Sequence, residues 1–155
     1  MAERIATIER NTKETKIRLT LNLDGTGICK AESGIPFFDH MLSGFARHGL
    51  FDLDAQIQGD TEIDSHHTIE DTGIVLGEAI RKAAGDKAGI VRYGSALLPM
   101  DDSLILCAVD LSGRPYFVMD GVSFLADKIG DMSTQMIREF FYAVSYGSAM
   151  NLHIK

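Results

Sequence analysis

The chain has 155 residues, 45% hydrophobic and 24% charged, with three prolines and fifteen glycines, the composition and length of about one globular domain. Disorder and fibrous folds are excluded, and the longest apolar runs, such as 104–109 and 140–144, fall far short of the ~20 residues of a membrane-spanning helix. A formal charge of −7 has the wrong sign for tracking a phosphate backbone, so neither nucleic acid nor membrane is an expected partner.

Met1-Ala2-Glu3-Arg4 opens the chain without an apolar secretory run, and two cysteines, Cys29 and Cys107, are too few for a disulfide framework. The expected location is a reducing cytoplasm. In chain order, Ile17, Leu19, Leu21 and Leu23 alternate with Lys16, Arg18, Thr20 and Asn22, the period of a half-buried strand. Asp24-Gly25 followed by Gly27 reads as a hairpin signal, so residues 28–33 are expected to return antiparallel to that strand. Pro36 opens a helix with Phe38, Leu42 and Phe45 as its apolar stripe and Gly49 as its cap. Leu53, Ala55 and Ile57 alternate with Asp52, Asp54 and Gln56 in a further strand ended by Gly59-Asp60. A second helix follows, with Ile69, Gly73, Leu76, Ile80 and Ala83 as its buried stripe, Ser65 as N-cap and Gly85 as terminator.

The same order then begins again. Leu104 to Val109 is apolar on both faces, as a central strand would be, and Ser112-Gly113 turns the chain into a return strand over Arg114 to Asp120. Ile137, Phe140, Phe141 and Val144 mark a helix that Asp131 or Ser133 can cap. Met150, Leu152 and Ile154 alternate with Asn151, His153 and Lys155 in a last strand. The repeat divides the chain into a first α+β unit over 1–90 and a second, incomplete one over 91–155, which has no counterpart of the first unit's last helix. A cover missing in this way is expected to leave apolar strand surface for another chain.

The densest cluster of chemically capable side chains is His66-His67-Thr68-Ile69-Glu70-Asp71, preceded by Asp64. Helix neighbours diverge by about 100°, so His66 and His67 point to two ions rather than one. Glu70, four residues after His66 and three after His67, can share a site with either. The competing reading is an acidic helix start beside two solvated histidines. His40 and His48 lie off the apolar stripe of the first helix. His48 suits a helix C-terminus electrostatically, whereas His40, early in the helix beside Asp39, is better explained as a ligand. His153 faces away from the core on the last strand and is either wet surface or a ligand. Arg10, Arg92 and Arg114, with Lys13 near the first of them, are solvated, or clamp a phosphate, the arginines through planar guanidinium donors. Glu14 is a general acid or base by type, and Asp101-Asp102 is a turn or a pair of working carboxylates.

Seven segments in register carry a family resemblance. They are Arg10-Asn11-Thr12-Lys13-Glu14-Thr15, the stretch Gly34 to Leu42, His66 to Asp71, Arg92-Tyr93-Gly94-Ser95, Pro99-Met100-Asp101, Asp110 to Pro115, and Leu152-His153-Ile154. Together they resemble the imidazoleglycerol-phosphate dehydratases over nearly the whole chain. The resemblance implies an α+β fold of duplicated half-domains, each a four-stranded, mostly antiparallel sheet with two helices on one face (ribosomal S5 domain 2-like), the second half here lacking its last helix. It implies homo-oligomers, either symmetric trimers or twenty-four-chain shells, with active sites between subunits. The implied activity is metal-assisted dehydration of imidazole-glycerol phosphate, a small-molecule phosphate substrate, to imidazole-acetol phosphate in histidine biosynthesis.

By the same resemblance His40, His66, His67, Glu70 and His153 would be ligands of Mn2+, with two metal sites in the complete protein. Glu14 would be the catalytic acid–base residue, Arg92 and Arg114 would hold the substrate phosphate, and Asp101 would contact substrate. Imidazole and carboxylate ligands suit manganese without excluding zinc, iron or cobalt. The chemistry fits those residue types: the carbon-bound proton is barely acidic, and a metal on the substrate's ring nitrogen makes the imidazole an electron sink. The chain departs from the family pattern at Gly44, Ser65 and Asp102, and it ends before the family's second paired-histidine motif and its phosphate-binding lysine. Rival readings are a non-catalytic fragment assembling through exposed sheet surface, and a metal-dependent hydrolase in which Glu70 or Glu14 activates water.

Overall fold

The computed structural model describes residues 3–155; the expectation of no secretory run rests partly on Met1 and Ala2, which lie outside the described residues. The first half runs β1 (Ile5–Asn11), β2 (Thr15–Asn22), β3 (Cys29–Glu32), α1 (Pro36–Gly49), β4 (Asp52–Gly59) and α2 (His66–Ala84). The second runs β5 (Tyr93–Met100), β6 (Ser103–Asp110), β7 (Tyr116–Met119), a small hairpin β8 (Lys128–Ile129) and β9 (Met132–Ser133), α3 (Gln135–Ser148) and β10 (Asn151–Ile154). The sheets have strand orders β1-β2-β4-β3 and β5-β6-β10-β7, the same topology twice, each with two antiparallel pairings and one parallel. The fold class expected from the sequence is therefore the one observed.

Two strand expectations are corrected. Segment 28–33 does not return along β2, both of whose edges are taken, by β1 and β4; β3 lies parallel to β4 instead, with Ala31 opposite Ala55. The supposed hairpin turn is a crossover pinned to β4. One Asp52 carboxylate oxygen accepts the N–H groups of Thr26 at 2.8 Å and Ile28 at 3.0 Å, and a Cβ on Gly25 would sit 2.2 Å from the Asp52 nitrogen. In the second half β7 likewise runs parallel to β10 rather than back along β6. The outer strands β1 and β5 escaped the periodicity reading. On β1 the helix-facing set includes Arg10 beside Ala6 and Ile8, and β5 contains Gly94 and Pro99, so neither shows clean alternation.

Helix boundaries follow local chemistry that differs from the expected caps. The buried stripe of α1 is Phe38, Leu42 and Ala46; Phe45 is partly exposed against Phe51, and the left-handed residue closing the helix is Leu50, not Gly49. Ser65 stands at the N-cap of α2 without a side-chain bond, and Asp64 accepts the His66 N–H at 2.7 Å in its stead. Neither Asp131 nor Ser133 caps α3. Asp131 lies in the β8–β9 turn and Ser133 in β9, while the N-cap is Thr134, whose hydroxyl donates to the carbonyls of Ala126 and Asp127.

The helices lie on one side of the two sheets. α2 packs on β1 and β2, α3 on β7, and the two helices cross at glycines. A Cβ on Gly77 would lie 2.5 Å from the Val144 carbonyl oxygen, and one on Gly147 would lie 2.6 Å from that of Ile74, so the backbones touch. The core beneath them runs continuously from Leu19, Leu21 and Leu53 through Val75 and Leu76 to Val144, Leu152 and Ile154. On their opposite faces the sheets differ. The first presents Glu9, Lys16, Arg18, Lys30, Glu32, Asp54 and Gln56, whereas the second presents Leu97, Leu104, Leu106, Tyr93 and Tyr116. Among the described residues no helix is long and apolar enough to cross a membrane.

Candidate active site

The first turn of α2 emerges where β4 ends and where the β1–β2 turn lies, and this is where the paired histidines stand. Helical spacing sends their rings apart, with centroids 6.0 Å from each other, and each finds a different carboxylate. His66 Nε2 lies 3.3 Å from Glu70 Oε2, the i,i+4 pairing expected from the sequence. His67 Nδ1 lies 2.8 Å from Asp60 Oδ2, at the corner ending β4. That hydrogen bond raises the His67 pKa above the ordinary histidine value, and the charges of Asp60, Glu14 and Asp64 push in the same direction against desolvation. Glu14 is thus a neighbour of the paired histidines, carried there by the turn in which the Thr12 hydroxyl accepts the N–H groups of Glu14 and Thr15.

Below that turn a buried carboxylate ties the strands to the helix. Asp71 Oδ2 accepts the Thr15 hydroxyl at 2.5 Å, and Asp71 Oδ1 lies 2.8 Å from Arg10 Nε in an ionic contact whose N–H is not aimed at the oxygen. The contact places Arg10 among structural groups, away from the phosphate clamp it could have joined. Thr15, one residue after Glu14, is thereby fixed to the helix that carries His66, His67 and Glu70.

The remaining site residues are distributed. Arg92 makes a two-pronged pair with Asp110, Nε to Oδ1 at 2.6 Å and NH2 to Oδ2 at 3.0 Å, and stacks on Tyr93. Arg114 and Lys87 act on the same carboxylate: with Arg92 first, their fields hold the Asp110 pKa below the usual range. Arg92, Arg114 and Lys87 thus all lie within electrostatic reach of Asp110, Lys87 being a cation that the sequence reading passed over. Asp101 occupies the tight turn at the far end of the β5–β6 hairpin, in the left-handed region at φ 52°, whereas Tyr93, next to Arg92, pairs with Asp110 at the near end. Eight strand residues separate the two ends, roughly 27 Å at ~3.4 Å per residue. His153 is stacked near Tyr116 on the sheet face opposite the helices, and His40 is exposed on α1. Among the described residues no three His, Cys, Asp or Glu side chains converge on one point.

The donor set nonetheless fits a divalent cation of the borderline class. Two imidazoles, each already beside a carboxylate, are the ligand types such ions take, and the orphaned Asp60 Oδ1 is a buried acceptor at the same corner. The partners of Asp60, Asp71 and Asp110 are not legible in the sequence. Asp60 reads from the sequence as a strand terminator, and a Gly-Asp pair eight and seven residues before His67 is no signal until the strand end is seen to abut the helix.

Comparison with known proteins bears on this arrangement. A family profile described as imidazoleglycerol-phosphate dehydratase matches residues 33–155. The chain is 59% identical to the imidazoleglycerol-phosphate dehydratase of Lachnoclostridium phytofermentans over 98% of its own length and 77% of that protein. It is 55% identical to that of Caldicellulosiruptor bescii over 100% of its length and 79% of the relative. Among solved structures, the Staphylococcus aureus enzyme of this name superposes with a TM-score of 0.85 at 33% identity, covering 97% of this chain and 82% of the other. The Pyrococcus furiosus structure gives 0.80 at 32%, covering 96% and 78%. The duplicated sheets, the seven motifs in register and these matches together establish that the chain belongs to the imidazoleglycerol-phosphate dehydratase family, hydro-lyases that dehydrate imidazole-glycerol phosphate in histidine biosynthesis.

Proposed function

We propose that in this dehydration Glu14 is the acid–base residue and that His66, His67 and Glu70, with His40 and His153, hold manganese. The observation that carries the reading is the clustering at the mouth of α2: paired imidazoles, each beside its own carboxylate, with the Glu14 charge close enough to act on His67. A divalent cation bound there would supply Lewis acidity toward the substrate's imidazole nitrogen. The work left to the chain's own groups is proton transfer and orientation. The Glu14 carboxylate takes the carbon-bound proton and returns it to the departing hydroxyl, which leaves as water, and the enol so formed becomes the ketone. Arg92 and Arg114, assisted by Lys87, grip the phosphate through charge-assisted donors, exchanging Asp110 for phosphate oxygens. Asp101 contacts the substrate.

The functional unit in this reading is a homo-oligomer. The phosphate-gripping arginines and Asp101 sit at opposite ends of one hairpin, and His153 projects from the sheet face away from α2, so one chain does not bring them to a single substrate. The apolar outer face of the second sheet, set against the charged outer face of the first, is the surface on which a second copy would pack. The compartment we propose is the cytoplasm, where the free thiols of Cys29 and Cys107 would stay reduced.

Two variants test the site. Replacing Glu14→Gln should leave bound manganese unchanged while turnover falls by about 10²–10⁴-fold, the usual range for a lost acid–base group. Replacing His66→Ala and His67→Ala together should remove the metal, as measured by elemental analysis. Full turnover in the glutamine variant, or unchanged metal in the double variant, would overturn the corresponding assignment.

A further inference from the structure

The Gly59-Asp60 corner that ends β4 holds a carboxylate to which the reaction gives no direct part. The Asp60 side chain is only 12% exposed; Oδ2 is taken by His67 Nδ1 at 2.8 Å, and Oδ1 is buried without a partner. Burying a carboxylate with one oxygen unsatisfied is costly, and such a group calls for an explanation beyond packing. The corner is also held in place. A Cβ on Gly59 would lie 2.0 Å from the Thr68 hydroxyl oxygen, so the end of the strand rests directly on the first turn of α2. The distance between Asp60 and His67 is therefore constrained by the packing of the Gly59 backbone against the Thr68 side chain, and not by their two side chains alone.

His66 provides an internal comparison. Its Nε2, not its Nδ1, is the nitrogen beside Glu70, and that carboxylate is half exposed on the same helix. The two imidazoles are thus used differently. Only His67 has its Nδ1 engaged by a group from another element, which leaves Nε2 as the nitrogen with an uncommitted lone pair.

We propose that Asp60 is a positioning residue for His67: by accepting the Nδ1–H it fixes the imidazole tautomer and ring plane, so that Nε2 is presented, unprotonated, to a divalent cation. A carboxylate behind a ligating histidine orients the ring and raises its basicity, and its loss commonly costs 10–100-fold in metal affinity. The proposal rests on the reading of His67 as a ligand, and the experiment separates the two. In the metal-free chain with 15N-labelled histidine, at about pH 9 and so well above the ordinary histidine range, His67 should be held as the Nδ1–H tautomer. Asp60→Ala should abolish that preference and lower affinity for Mn2+ by about 10–100-fold. Asp60→Asn, which keeps the size and can still accept through its carbonyl, should fall between, and it carries the test if the alanine variant does not fold.

A purely structural Asp60 would lower the thermal midpoint without moving the tautomer. An unchanged His67 tautomer and unchanged Mn2+ affinity in both Asp60 variants, beside loss of metal in His67→Ala, would overturn the positioning role alone. Retained Mn2+ affinity in His67→Ala would overturn the ligand assignment on which it stands.

Discussion

Asp52 and Asp71 are acidic residues whose work is set by what the chain folds against them. Asp52 reads from the sequence as the polar phase of a strand, yet its carboxylate gathers the backbone N–H groups of Thr26 and Ile28 and so shapes the crossover between β2 and β3. Those hydrogen bonds, Ile28 first, lower its pKa below the normal aspartate value. The sign of the linkage follows: stability from this group is fully present above the unfolded value of about 3.9 and is lost as pH falls through the lowered folded value. Asp52→Asn should flatten that acid-side slope, and the check is thermal midpoints followed from neutral pH downward for both proteins. An equal slope in the two would remove Asp52 as its source. Arg10 makes the same point in reverse. Its type suits phosphate, but Asp71 takes it, because β1 lays its helix-facing side against α2.

At the scale of elements, β2, α1, β4, α2, α3 and β10 are legible because each alternates or repeats with a strong apolar signal, and β6 because it runs apolar on both faces. Pairing direction is not, since β3 and β7 carry four residues each and nothing in four residues says which neighbour lies beside them. Glycines in helices were the other silent feature. Gly44 and Gly77 look alike in sequence, but a Cβ at Gly44 meets nothing within 4 Å, whereas one at Gly77 meets the backbone of α3 at 2.5 Å. Gly44→Ala should therefore stabilise by about 0.5–1 kcal/mol through helix preference. Gly77→Ala gains the same preference but forces two backbones apart, an overpacking cost of about 1–3 kcal/mol that should win. Urea denaturation of the two variants checks the opposite signs, and a stabilised Gly77→Ala would mean that the helices can separate without loss.

For the whole molecule, the outer face of the second sheet is the surface on which the proposed packing of a second copy can be tested. Leu97 stands opposite Leu106 and Pro99 opposite Leu104, and both Leu97 and Leu104 are about 60% exposed, on a face where the first sheet carries ion pairs such as Arg18–Glu9. Leu97→Asp with Leu106→Asp should leave far-ultraviolet dichroism unchanged and shift the mass measured by light scattering to the single chain. A mass that is unchanged by those charges would rule out this face as a contact between copies. By itself the sequence determined the doubled α+β pattern, the family and the residue types of the site, since periodicity and contiguous motifs survive without coordinates. Tertiary structure alone decided that Asp60 stands behind His67, that Asp71 binds Arg10 and Thr15, and that Asp101 lies a hairpin's length from Arg92. Those relations join residues that are remote along the chain, or fix the separation of near ones, and only the packing of strands against helices sets such distances.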